Sequence, residues 1–553
     1  MREIDVVLCW NMHQPQYRNA GGEYRLPWVY LHATKDYADM AWHLERVPAA
    51  KAVVNFTPVL LEQLHDYTLQ FQRGVFRDPI LRALQRGDAD SPDMRPALAY
   101  AVCRSNYDRM VRRFPEYERL YGLAQAAAAG GPALSDQDRA DSLVWYHLAW
   151  LGEGSRRDDA RVQRLSTKAR GFSAADRAEM LAVVGELIAS IVPRYRKLAE
   201  DGRVELITSP YSHPMVPLLI DFDAALEAEP GVTQPRSRGY PGGRNRADAH
   251  IKASLAAHVD DFGSRPIGCW PPEGGVSTLA LAALAANGFR WAASDESVLR
   301  NSLQSSGADV GSRRDYVYMP YAVHTDGGTI ACFFRDHDLS DRIGFRYSDW
   351  HADDAVANLL SALEEIAGNG SARIVSVVLD GENAWEHYPE NAYYFLSGLY
   401  QRLSADPRIR LTTFETHLLS AASIPALRAL VAGSWVQGNF STWIGSPDKN
   451  RGWDMLVAAK QAYDRVIESG RLTSEAARRA EMILRWCEGS DWFWWFGSYN
   501  PAQAVSDFEH LFRDHLRDLY AALGVQVPAA LDITLSIGAG APEHGGTMRR
   551  SDT

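Results

Sequence analysis

RIVSVVLDGEN, residues 373–383, is an apolar and largely β-branched run that stops abruptly at a carboxylate, a glycine, a second carboxylate and an amide. It does not alternate apolar with polar, as a strand with one wet face would. A run apolar throughout belongs to a strand buried on both faces, as in a parallel sheet covered by helices. The same grammar recurs along the chain. IDVVLCW (4–10) leads to Asn11, Met12, His13 and Gln14, and AVVNF (52–56) carries Asn55. VELITSP (204–210) leads to Tyr211, Ser212 and His213, and IGCW (267–270) to Glu273. FRWAAS (289–294) leads to Asp295 and Glu296, and TIACFF (329–334) to Arg335, Asp336, His337 and Asp338. Helix-patterned segments such as TLALAALAANG and DDAVANLLSALEEIAGNG lie between them. Strands that each end in chemically capable residues favour a β/α barrel, whose site is built at the C-terminal strand ends, over a doubly wound sheet with one switch point. No G-x-G-x-x-G follows the first strand and no P-loop pattern occurs, so nucleotide cofactors have no support.

Composition narrows the function classes. A net charge of −11 argues against a nucleic-acid partner. The five cysteines are scattered and form no CxxC pair, so neither a disulfide framework nor a zinc ribbon is expected. The first residues are too polar for a signal peptide and no run has the length of a membrane span, so a cytoplasmic protein without membrane association is expected. Many of the 16 tryptophans and 24 tyrosines stand beside Gly, Pro and charged residues, as in RLPWVYLH and ENAWEHYPENAYYF. Such settings suit flat apolar faces in a polar-rimmed cleft, and sugars are the matching ligand class.

The pattern divides the chain. Residues 1–420 read as the barrel, with helical excursions around 95–200 and a Pro/Gly-rich loop over the mouth at 221–250. Residues 421–525 read as amphipathic helices forming a C-terminal helical domain, and 526–553 as a tail that is polar and frayed from about Gly540.

Two strand-end carboxylates stand out, Glu273 and Asp380. Glu273 sits in IGCWPPEGGVS (267–277), where two prolines restrict the backbone before it and two glycines open the space after it. Two carboxylates facing across a barrel mouth suit the cleavage of an acetal, one attacking or stabilising the cationic centre and the other protonating the leaving oxygen.

In order along the chain, HQPQY (13–17), ELITSPYSHPMVPLL (205–219), CWPPEGGVS (269–277), VVLDGENAWEHYPENA (377–392) and STWIGSPDKNRGW (441–453), with EGSDWFWWFG (488–497) behind them, resemble the motifs of glycoside hydrolase family 57. The resemblance runs from about residue 4 to about 525 and is nearest the amylopullulanase and α-amylase types. It implies a (β/α)7 barrel with an appended helical domain and a retaining double displacement, with neither metal nor cofactor. It implies Glu273 as nucleophile and Asp380 as general acid/base, the latter with a pKa raised by burial or by the charge of Glu273. Glu382 and Glu386 lie within six residues of Asp380 and are candidates for added like-charge repulsion. Trp270 resembles the sugar-stacking aromatic, while His13, Gln14, Tyr211 and His213 are expected around the cleaved bond. Trp385, His387 and Tyr388 are expected at neighbouring sugar subsites, and Trp443, Asp448, Asn450 and Trp453 in the cleft wall. Asp295, Arg335 and Asp336 are expected to form a buried ion-pair network bracing the barrel.

The expected activity is hydrolysis of α-1,4 and, as in the amylopullulanase type, α-1,6 glucosidic bonds in maltodextrin, glycogen-type glucans or pullulan. A 4-α-glucanotransferase or branching enzyme on the same fold is the alternative within the class. A metal-dependent deacetylase would need a His-x-x-x-His pair, which none of the 16 histidines forms. A catalytically inactive glucan-binding protein would have no need of both Glu273 and Asp380.

Overall fold

The computed structural model describes residues 4–87, 104–308, 311, 313–368 and 373–540. Among the described residues nine strands form: β1 (Ile4–Met12), β2 (Ala52–Phe56), β3 (Val204–Thr208), β4 (Gly268–Cys269), β5 (Trp291–Asp295), β6 (Tyr321–Thr325), β7 (Gly328–Arg335), β8 (Ile374–Asp380) and β9 (Ile409–Leu411). β1 pairs with β2, and the order continues β3, β4, β5, β7 and β8 back to β1, closing a barrel of seven parallel strands. β6 is an antiparallel outlier on β7. β1 is long enough to use one edge twice. Its first residues, Ile4–Val6, pair with β9, and its last, Cys9–Met12, pair with β2.

Alternation along the strands explains why they read as apolar throughout. Val7, Cys9, Val53, Ile207, Trp291, Phe333 and Val378 share one buried cluster inside the barrel. Val6, Leu8, Trp10, Val54, Leu206, Val375 and Val377 belong to a second cluster, packed with the surrounding helices. Period-two side chains thus meet an apolar environment on both faces. Gly268 on β4 lets Trp291 lie flat inside, since a Cβ there would stand 2.0 Å from the indole. Phe414 closes the lower end, with ring centres 4.4 Å from Phe333 and 4.5 Å from Trp291.

Between β2 and β3 the chain makes a long helical excursion whose starts are written locally. Asp78, Ser135, Asp159 and Ser173 cap the helices Pro79–Arg86, Asp136–Ala149, Ala160–Lys168 and Ala174–Glu200, the last with a reciprocal capping box to Asp176. Helix already begins at Pro58, well before the expected start near 95, and part of that expected start lies outside the described residues.

The expected loop at 221–250 is shorter than its composition suggests. A short helix covers Ala224–Ala228 and a long one runs from Gly243 to Phe262, leaving the irregular stretch between them. Gly243 permits this start by touching the Leu219 carbonyl, where a Cβ would stand 1.8 Å away. The polar residues that read as loop are instead buried partners. Arg246 and His250 both reach Glu488 Oε2 at 2.7 Å, and Tyr240 donates to Glu488 Oε1 at 2.6 Å. Glu488 follows the helix Ser474–Cys487, one of a C-terminal helical set with Pro447–Glu468, Asp491–Trp495 and Ala502–Ala522. Trp453, Phe493 and Phe512 of this set belong to the same buried cluster as the outer face of the barrel. The expected fraying from about Gly540 falls on residues outside those described. No helix among the described residues is long and apolar enough to cross a membrane.

Phe414 is fully buried and packs with Trp291 and Phe333 in the interior cluster. Phe414→Ala is expected to cost about 3–5 kcal/mol through lost burial and the cavity left behind. The urea midpoint, read at unchanged denaturant slope, measures it.

Candidate active site

At the C-terminal ends of the strands the inward side chains turn from apolar to polar and join hands. Asn11 and Asp380 are register partners on β1 and β8. Asn11 Nδ2 donates to Asp380 Oδ1 at 3.0 Å, while Asn11 Oδ1 accepts from Asn55 Nδ2 at 2.7 Å. Asn55 Nδ2 also donates to Ser209 Oγ at 2.9 Å, and that hydroxyl donates to the Trp270 carbonyl at 2.6 Å. Asn383 Nδ2 donates to the second oxygen of Asp380 at 2.8 Å. Burial raises the pKa of Asp380; the two amides, then the charges of His13 and Arg335, oppose it.

Glu273 is held on a one-turn 3-10 segment with φ 60° and ψ 23°, a left-handed conformation that costs a non-glycine residue about 1–3 kcal/mol. The turn is pinned on both sides. Trp435 N donates to the Glu273 carbonyl at 3.0 Å, and Ser294 Oγ to the Gly274 carbonyl at 2.6 Å. The carboxylate accepts from Ser490 Oγ at 2.8 Å and from Trp435 Nε1 at 3.2 Å. Burial pushes its pKa up to about 8, and the charges of Asp491 and then Asp380 add to the rise, against those two donors.

His213 is also left-handed, with φ 56°, and its Nδ1 lies 3.1 Å from Ser490 Oγ and 3.8 Å from Glu273 Oε1. Burial, with His13 beside it, holds its pKa well below the usual imidazole range. The His13 ring stacks on it at 3.8 Å between centres and 18° between planes. His13 Nδ1 meets Thr57 Oγ1 at 3.0 Å, and Nε2 meets the Asp491 carboxylate at 2.9 and 3.1 Å. Glu382 lies beneath them, accepting from the His13 amide and from Gln14 Nε2, each at 3.2 Å. Burial, then the charge of Asp380, lifts its pKa far above the carboxylate range. Behind Trp435, the Arg335 guanidinium stands 5.4 Å from the ring centre. It is held by Asp295 at 2.6 Å and Asp341 at 3.1 Å. His337 bonds Asp295 at 3.0 Å, and that bond, with a second to Asp341, pushes its pKa up to about 10. Asp336 joins the neighbouring set through Tyr318 at 2.8 Å and Arg313 at 2.8 Å.

The structure gathers Glu273, Asp380, His13, Gln14 and His213 at the mouth and places the remaining expected ligand-binding residues elsewhere. Trp270 is fully buried in the interior cluster, edge-on to Trp435 at 5.3 Å, and offers no face to a sugar. Half-buried Trp435 stands beside Glu273 instead. Trp385 is buried against Trp10 and donates to the Gly381 carbonyl at 2.8 Å, and buried Tyr388 donates to the Ile343 carbonyl. Trp443 and Trp453 are core residues, Trp453 stacking on Phe493 at 4.3 Å. Asp448 accepts from Ser536 Oγ at 2.8 Å, and Asn450 bridges the Gly445 amide and the Thr233 carbonyl. Tyr211 donates to Glu62 at 2.9 Å. His387 is partly exposed and lies 3.6 Å from Glu386. Polar neighbours in sequence do not keep the tryptophans out of the core: Trp385 and Trp453 give their indole N–H to backbone carbonyls, while Trp270 and Trp443 are buried with no partner for theirs.

Sequence reasoning left Asn11, Asn383, Trp435, Ser490 and Asp491 without a site role. Asp491 and Ser490 sit inside EGSDWFWWFG, where the tryptophans drew the eye, and Trp435 follows no strand end.

A closed barrel whose ionisable groups converge at the C-terminal strand ends defines a β/α-barrel enzyme with its chemistry at the mouth. Residues 7–422 match the family model described as glycosyl hydrolase family 57, and the chain belongs to that family. Three solved structures share the fold. The α-amylase AmyC from Thermotoga maritima is 14% identical, with 95% of this chain and 93% of that one covered and a TM-score of 0.57. A family 57 branching enzyme from Thermococcus kodakaraensis is 15% identical, with 95% and 89% covered and a TM-score of 0.56. A 4-α-glucanotransferase from Thermococcus litoralis is 13% identical, with 94% of this chain and 60% of that one covered and a TM-score of 0.53.

The raised pKa of Glu273 carries a stability consequence independent of any reaction. Its folded pKa of about 8 exceeds the unfolded value of 4.5, so the folded state holds the extra proton between those limits and stability falls as pH rises through that window. A shift of that size corresponds to roughly 4–5 kcal/mol at most. Glu273→Gln is therefore expected to unfold at higher denaturant than the wild type at pH 8–9, with the gap closing toward pH 5.

Proposed function

We propose that the protein is a retaining α-glucan hydrolase that cleaves α-1,4 bonds, and α-1,6 bonds where the chain branches, in maltodextrin, glycogen-type glucans or pullulan. The observation that carries this reading is the pair of buried, electrostatically coupled carboxylates, each gripped by two neutral side-chain donors. In the first step Glu273 attacks the anomeric carbon while Asp380 gives its proton to the departing glycosidic oxygen. In the second, Asp380 takes a proton from water, and the new nucleophile displaces the Glu273 carboxylate with the original stereochemistry restored. The reactive state needs the proton on Asp380 and the charge on Glu273. Burial keeps a proton on the pair at neutral pH, and Ser490 and Trp435 favour the charge on Glu273 by donating to it. Once Glu273 is esterified its charge is gone, which lowers the pKa of Asp380 for its turn as base.

Transfer to a sugar hydroxyl shares the first step, and the structural neighbours include a glucanotransferase and branching enzymes. Product analysis on maltodextrin and on pullulan, wild type beside Glu273→Gln, tests the reading. New reducing ends from both substrates, absent in the variant, are expected; longer and shorter chains at constant reducing ends would make it a transferase, and no change would make it a binding protein. Asp380→Asn is expected to lower kcat by about 10²–10⁴-fold. Asp491→Asn removes a like charge that raises the pKa of Glu273. The acid limb of its kcat/KM profile is therefore expected to move to lower pH, and an unmoved limb would detach Asp491 from the ionisation of the nucleophile.

A further inference from the structure

The stacked histidines have a second chemical capacity. Ser490 Oγ donates its proton to Glu273 Oε1, so toward His213 it acts as acceptor and His213 Nδ1 is the donor. In the neutral ring that leaves His213 Nε2 with its lone pair, and this atom is buried without a hydrogen-bond partner. The other ring is fixed as well. His13 Nε2 points at Asp491, and His13 Nδ1 meets the Thr57 hydroxyl, which orients the imidazole from behind as an outer partner orients a ligating histidine. His13, His213 and Asp491 each bring one ligand atom within 4.8 Å of the others. Ligand atoms about 2.0–2.1 Å from a tetrahedral zinc stand about 3.4 Å apart, so the three side chains need to draw in by little more than an ångström and the stacked rings to turn until each lone pair faces the ion.

We propose that His13, His213 and Asp491 form a site for a borderline-soft divalent cation of the zinc class, and that its occupation inhibits the enzyme. Two imidazoles and one carboxylate with a fourth position open are a zinc donor set; the hard ions magnesium and calcium prefer all-oxygen cages. Glu273 Oε1 stands 3.8 Å from His213 Nδ1, so an ion held by the three ligands sits beside the proposed nucleophile. Both histidines are nine-tenths buried or more, so a bound ion occupies the mouth itself rather than its rim. It takes the volume a sugar ring needs beside Glu273 and pulls Asp491 and His13 from their present bond. The binding is independent of which glucan is cut; the inhibition rests on the function proposed above.

The test uses the full chain, stripped with EDTA and dialysed, titrated calorimetrically with ZnCl2. One zinc per chain is expected in the wild type, weakened at least 10-fold by His213→Ala and by Asp491→Asn, and unchanged by His510→Ala, an exposed histidine remote from the mouth. Cobalt in place of zinc is expected to show the intense visible bands of a tetrahedral ion in the wild type alone. Turnover of maltodextrin, once established for the metal-free chain, is expected to fall on adding ZnCl2, competitively with substrate, and to return with EDTA. The absence of wild-type binding, or equal binding by the two mouth variants, overturns the site. Zinc bound through the three residues with unaltered turnover overturns its inhibitory role, while failure of the metal-free chain to act on any glucan overturns the proposed function and leaves the calorimetric result to judge the site.

Discussion

The mouth of the barrel depends on Asn11. Its amide can donate on one side and accept on the other, and both capacities are used, toward Asp380 and from Asn55. From Asn55 the chain of bonds passes through Ser209 to the Trp270 carbonyl, at the start of the turn that carries Glu273. Five strand ends, of β8, β1, β2, β3 and β4, are thereby tied in sequence, and one hydrogen-bonded string runs from the carboxylate of Asp380 to the backbone that leads into Glu273. In a buried site such a string is all or nothing, since a broken link leaves polar atoms with neither partner nor water. The apolar interior below it tolerates approximate packing by comparison, because methyl groups have no directional requirement.

The barrel was legible because its cause is local. A buried strand needs an apolar run, a covering helix needs a period near 3.6, and both patterns survive in a single sequence. Glu273 and Asp380 were legible for the same reason, as carboxylates where an apolar run ends. The misreadings share a different cause. Trp270, Trp385, Trp443 and Trp453 stand among polar residues in the chain yet lie in apolar surroundings in space. Residues 243–250 looked like loop because their arginine and histidine find Glu488, a partner more than 230 residues away that no local pattern announces. Burial of a polar group is a tertiary fact.

The C-terminal helices do more than cover the barrel. Ser490 and Asp491, at the start of the short helix Asp491–Trp495, supply a hydrogen bond to Glu273 and a carboxylate to His13. Ser490 N bonds the His213 carbonyl at 2.9 Å, so the same segment also holds the strained backbone of that histidine. Two left-handed residues, Glu273 and His213, meet under one serine. Conformations that a free chain avoids are kept because their surroundings over-determine them, Trp435 and Ser294 at the turn of Glu273 and Ser490 at His213.

That dependence sets an order of events during synthesis. A ribosome makes strands, helices and both carboxylates of the mouth before it reaches residue 490. Until then Glu273 lacks its serine donor and His13 lacks its acidic partner, although Trp435 and Ser294, made earlier, can already hold the turn at 273. The strands and both carboxylates are therefore made before the segment that supplies these two partners, and the constellation at the mouth is complete only once that segment docks.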